Sequence, residues 1–146
     1  MNKTDYLSFN TAGCSRHDIL QLMTTIDRRF MAGLAYYLGA RELGMGVARV
    51  GNGIPELQWD TIHRIHPTCG MVVPSFLIKL IEFAEKNQID HNTCSMKKCV
   101  CIGEALRNPD FTLNTLGQRI SEKWPSLQLY FHLCLYGNAI VLHRMF

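Results

Sequence analysis

Short apolar runs rich in β-branched residues alternate along the chain with longer segments whose apolar positions recur every three or four residues. That is the pattern of strand–helix–strand units in a parallel sheet. Ile19 to Thr25 reads as a strand and Arg28 to Leu43 as a helix, with Gly44 available to close it because glycine accepts the left-handed conformation past a helix end. Val47 to Val50 reads as the second strand, and Gly51-Asn52-Gly53 turns the chain into a short helix from Leu57 to Ile65. Pro67 cannot donate a helical hydrogen bond and marks that helix's end. Gly70 to Val73 is the third strand. Pro74 then suits a first helical position, where the missing amide hydrogen costs nothing, and Leu77, Leu80, Ile81 and Ala84 follow at helical spacing toward Asn87. Lys97 to Ile102 reads as the fourth strand, and Leu113, Leu116, Ile120 and Trp124 stripe a final helix that Pro125 stops. Continuous apolar strands need cover on both faces, so the pattern predicts an α/β fold with a mostly parallel sheet of four to five strands and flanking helices.

The 146 residues suit one domain of ordinary size, and 47% hydrophobic with 18% charged residues is an ordered composition. A net charge of +3 with scattered Lys and Arg gathers no cationic face, so no nucleic-acid partner is expected. No apolar run approaches the roughly eighteen residues of a membrane span, and Met1 to Asn10 has no cationic start leading into an apolar stretch. No membrane partner and a cytoplasmic location are therefore expected. Cys14, Cys69, Cys94, Cys99, Cys101 and Cys134 contain no Cys-x-x-Cys pair. His91, Cys94, Cys99 and Cys101 form the nearest cluster, but Cys99 and Cys101 lie two apart on a strand and read as small buried thiols on one face; no metal site is expected.

Several motifs touch on chemistry. Val47 to Gly53 runs a strand into Gly-x-Gly, but Glu56 stands where a dinucleotide fingerprint needs a third small residue, so a turn is the better reading. No Gly-x-x-x-x-Gly-Lys phosphate loop occurs. Asp60, His63 and His66 recur every three residues, a spacing that drifts around a helix, and they read as an exposed face. Asp27, Arg28 and Arg29 can be read as a phosphate holder, but Thr25 as a helix cap with Asp27 in the first turn suits the helix dipole better. Phe30, Tyr36 and Tyr37 read either as core or as the lining of an aromatic-acid pocket.

The stretch from Asp27 to Arg41, taken with Cys101-Ile102-Gly103-Glu104-Ala105, resembles segments of the phenylacetate-CoA ligases. These belong to the adenylate-forming, AMP-binding enzymes, which activate a carboxylic acid with ATP and pass it to coenzyme A. The resemblance runs from about Ala12 to Trp124. It implies that Met23 to Gly39 lines the aryl pocket, with Phe30 facing the substrate ring and Thr25 at a second pocket position. Pro74 and Ser75 would border the same cavity, and Gly103 and Glu104 would lie against the adenine; Ala105 departs from the family's proline. ATP, magnesium, coenzyme A and a small aryl acid are thus the cofactors and partners of the intact family. The phosphate loop and the carboxy-terminal lid of such ligases have no counterpart in the sequence. The resemblance therefore implies a partial large domain over residues 1–128, without catalytic residues of its own, binding none of those partners productively, and prone to self-association through exposed sheet edges. The alternative is a non-catalytic α/β ligand-binding or regulatory module.

After Trp124 the resemblance stops, where the family continues into a strand and a Tyr-x-Ser-Thr-Glu motif. The bland reading of the tail is a hairpin, with Leu129, Phe131, Leu133 and Leu135 alternating and Gly137-Asn138 at the turn. The sharper reading comes from back-translation. Synonymous codons for Leu129 to Phe146, read one nucleotide later, can spell Phe-Ile-Ser-Thr-Tyr-Ala-Ser-Thr-Glu-Met and onward, which contains the family motif in its place. Residues 129–146 are accordingly read as an out-of-frame tail on a truncated ligase.

Overall fold

The computed structural model describes residues 9–27, 31–134 and 140–144. Its elements run β1 (Ile19–Leu22), α1 (Met31–Glu42), β2 (Gly46–Arg49), α2 (Pro55–Ile65), β3 (Cys69–Val72), α3 (Pro74–Lys86), β4 (Lys98–Cys101), α4 (Thr115–Lys123), β5 (Gln128–Cys134) and β6 (Ile140–Arg144). The strands form one sheet in the order β2-β1-β3-β4-β5-β6. The first five are parallel, so the predicted α/β sheet is present at the upper end of its expected size. β6 pairs antiparallel with β5, which is the hairpin form of the tail; the expected Gly137-Asn138 turn lies outside the described residues.

Local chemistry sets the boundaries. Gly44 takes φ 81 and its amide bonds the Arg41 carbonyl, while the Met45 amide reaches Ala40, closing α1 as predicted. Gly51 (φ 78) and Gly53 (φ 92) make the turn before α2. α2 ends one residue ahead of Pro67, in a left-handed His66 whose amide bonds the Ile62 carbonyl. Pro74 opens α3, and Asn114 caps α4 by accepting from the Gly117 amide at 2.9 Å.

Two apolar layers enclose the sheet. On one face α2, α3 and α4 bring Trp59, Leu77, Ile81, Ile120 and Trp124 onto Cys99, Cys101 and Leu129, with the two tryptophan rings stacked 5.7 Å apart. On the other, Phe9, Cys14, Tyr36 and Ala40 cover Leu20, Leu22, Met71, Val100 and Tyr130, and Phe9 meets Tyr36 edge-on at 6.0 Å. Cys99 and Cys101 share a face and Val100 takes the other, as strand alternation requires. Leu129 and Tyr130 are buried, so the start of the tail is part of this core. Among the described residues no helix is long and apolar enough to cross a membrane.

Candidate functional site at the carboxyl edge of the sheet

Open parallel sheets hold ligands outside the carboxyl ends of their strands, at the point where strand order reverses, because the loops on either side diverge and open a crevice. Here the order 2-1-3 places that reversal between β1 and β3. Leu22 pairs with Arg49 on one side and Met71 on the other, and Val72 pairs with Cys101, so the strands end level. Thr25 follows β1, Pro74 and Ser75 follow β3, and Gly103 and Glu104 follow β4. All five thus share one edge, although they are up to seventy-nine positions apart in the chain (25 to 104). Phe30, with Arg28 and Arg29, lies outside the described residues.

Ser75 and Glu104 meet directly. The Ser75 amide donates to a Glu104 carboxylate oxygen at 2.7 Å, which satisfies one free amide of the first turn of α3 and sets a negative charge against its dipole. α3 has no side-chain cap from Val73 and no acidic residue in its own first turn, so Glu104 supplies both functions from the loop after β4. This ties the loop after β3 to the loop after β4. Gly103 beside it takes φ 80, and an added Cβ would come no nearer than 3.8 Å to Val73, leaving open backbone that a flat ring can approach.

At the β1 side, the Thr25 hydroxyl accepts from the Asp27 amide at 3.3 Å and pairs with the Asp27 carboxylate. Thr25 thus holds a local turn two residues long, and the start of the helix it is expected to cap lies outside the described residues. Its carbonyl lies so close to Gly33 that any side chain there would collide with backbone, which pins the loop to α1. A cavity of about 490 Å³ opens beside this loop, between Thr24, Thr25 and Asp27 on one wall and Arg49, Gly51 and Asn52 on the other.

A polar ladder behind that cavity escaped the sequence reading. Gln21, fully buried in β1, donates to the Gln58 carbonyl at 3.1 Å and to the Gln58 side-chain oxygen at 2.7 Å, and Gln58 donates onward to the Gly51 carbonyl at 2.8 Å. The amides of Val50 and Gly51 both bond Leu22, each at 3.2 Å. The signal available in sequence was one glutamine inside an apolar strand and another on an otherwise ordinary helix.

The other sequence candidates lie elsewhere. Asp60, His63 and His66 are exposed on α2, with Asp60 paired to Arg64 at 2.8 Å. They border a larger concavity of about 1010 Å³ along α2, the end of α3 and the loop before β4. His91 bonds the Lys123 carbonyl at 2.7 Å and packs edge-on against Trp124. Among the described residues no three His, Cys, Asp or Glu side chains are grouped to hold a metal ion.

No protein-family model matches the chain, and no curated protein matches it. Solved structures do. An open conformation of 2-hydroxyisobutyryl-CoA ligase in complex with 2-HIB-AMP and CoA superposes over 91% of this chain with a TM-score of 0.69 at 17% identity. The long-chain-fatty-acid-CoA ligase FadD1 from Archaeoglobus fulgidus covers 88% with a TM-score of 0.59 at 16% identity. VinN in complex with L-aspartate covers 88% with a TM-score of 0.63 at 14% identity. The class the architecture defines is therefore the adenylate-forming CoA ligase fold. The chain spans 30%, 26% and 30% of these three proteins, so what it shares with them is one α/β portion of that fold.

Proposed function

We propose that the chain is a portion of an acid–CoA ligase of the phenylacetate-CoA ligase type, carrying part of the acid pocket and one wall of the adenine site. The observation that supports this most is the convergence of Thr25, Pro74, Ser75, Gly103 and Glu104 on one sheet edge at the strand-order switch. The parent reaction joins an acid carboxylate to the α-phosphate of ATP with release of pyrophosphate, then transfers the acyl group to the thiol of coenzyme A. In that setting the buried Pro74 presents an apolar wall to the acid, Gly103 offers bare backbone to the adenine, and Glu104 fixes the spacing between the two loops through Ser75. Glu104 is thus a positioning residue. No step through magnesium is assigned.

Under this reading these 146 residues on their own form neither acyl adenylate nor thioester, because they contain no Gly-x-x-x-x-Gly-Lys phosphate loop and no Tyr-x-Ser-Thr-Glu motif. Pyrophosphate release with phenylacetate and ATP should stay at the no-acid background. Acid-dependent release that survives removal of contaminating ligases overturns the claim. We read residues 129–146 as the product of a frameshift, for which the coding DNA around Leu129 is the direct test. The second reading, a non-catalytic binding module in cytoplasm, draws on the burial of Leu129 and Tyr130, which make the tail part of the core. An uninterrupted frame through this region would favour that module.

A further inference from the structure

We propose that the cavity between the ends of β1 and β2 is an anion subsite, taking a carboxylate or phosphate group on Arg49 and Thr24. It lies next to the switch-point residues yet shares only Thr25 with the set assigned above, and it does not depend on adenylate chemistry. Its polar groups are set apart by how the rest of the edge is satisfied. The Gly51 carbonyl is taken by Gln58, the amides of Val50 and Gly51 by Leu22, and one oxygen of Asp27 by Thr25. Thr24 is 5% exposed, yet among the described residues its hydroxyl has no partner. A buried hydroxyl left unpaired is costly, so such groups mark places where a ligand or water completes the bonding.

Arg49 supplies the charge. Its guanidinium lies 5.9 Å over the ring of Tyr37, a contact that steadies the planar group, and among the described residues none pairs with it. A planar guanidinium matches two oxygens of a carboxylate or phosphate at once, which an ammonium does not. Asp27 shares the wall of Thr24 but has its carboxylate engaged by Thr25, so the anion bridges from the Thr24 hydroxyl to Arg49 and Asn52 on the facing wall.

The test is an amide-shift titration of the ¹⁵N-labelled full chain with inorganic phosphate and, separately, with acetate, each against chloride at equal ionic strength. The amides of Thr24, Gly51 and Asn52 should shift saturably with at least one of the two, and the responding anion identifies a phosphoryl or a carboxylate ligand. Arg49→Met, at an exposed position, should abolish the shifts while leaving the circular dichroism unchanged. Thr24→Val, which keeps shape and removes the hydroxyl, should weaken binding roughly threefold to tenfold, the scale of one hydrogen bond. Shifts no larger than with chloride, or shifts that persist in Arg49→Met, overturn the proposal. Neither outcome bears on acyl-adenylate formation, so this subsite and the ligase reading stand or fall separately.

Discussion

The two ends of the parallel strands are built on opposite terms. At the amino edge, polar groups are sewn to one another. Asp18 accepts from the Ser15 amide at 2.8 Å and from the Thr68 hydroxyl at 2.7 Å, and that hydroxyl accepts in turn from the Ile19 amide at 3.1 Å. Ser95 bonds the Pro67 carbonyl and Lys98 the Gly13 carbonyl, fastening the loops before β3 and β4. At the carboxyl edge, Ser75 bonds Glu104 and Gln58 bonds the Gly51 carbonyl, yet among the described residues the Thr24 hydroxyl has no partner, and a cavity stands open. The lesson is a division of labour. The amino edge uses its polar groups to fasten its own loops, and the unpaired hydroxyl and open cavity of the carboxyl edge are assigned, under our proposal, to a ligand.

The largest expected effect comes from breaking the sewn edge. Thr68→Val removes both the acceptor for Ile19 and the donor to Asp18, and should cost about 1–3 kcal/mol in urea unfolding, the penalty for leaving partly buried groups unpaired. At the open edge, Glu104→Ala should cost about 1 kcal/mol, the usual value of a lost helix cap, with Glu104→Gln recovering part of it. A larger loss at Glu104 than at Thr68 would reverse the comparison.

A smaller, pH-dependent effect sharpens it. Burial alone would raise the Asp18 carboxyl, but hydrogen bonds from Thr68 and Ser15, with the charge of Lys98, outweigh it and hold Asp18 below its ordinary value. A carboxyl lowered by folding stabilises the protein above its unfolded pKa, near ~3.9, and loses that contribution as pH falls through the folded value. Asp18→Asn should therefore flatten the acid side of the stability–pH curve and leave its slope near pH 7 unchanged. An unaltered acid limb would show that the Asp18 bonds do not differ between folded and unfolded chains.

Much of this was legible in the sequence, for identifiable reasons. Gly44, Pro67 and Pro74 act locally, through φ and missing amide hydrogens, so α1, α2 and α3 end or begin close to where the pattern places them. The stripe from Leu113 to Trp124 announces α4 because it is amphipathic. Cover by Phe9 and Cys14 was not legible, since the two aromatics of the first ten residues, Tyr6 and Phe9, are too few to set a period. The Gln21–Gln58 ladder joins residues 37 apart and exists only once α2 packs on β1. The site residues carried no spacing signal of their own, and Thr25, Ser75 and Glu104 entered through the resemblance. What brings them together is strand order, a property of the whole sheet.

The claim that the carboxyl edge is the ligand edge can be read residue by residue. In a ¹⁵N-labelled full chain titrated with phenylacetate and then AMP at millimolar concentration, amide shifts should gather at Thr25, Ser75 and Gly103. The amides of Ser15, Ile19 and Thr68 at the opposite edge should stay still. Shifts that cluster at the amino edge, or along the concavity beside Trp59 and Phe83 with none at the carboxyl edge, would contradict the account.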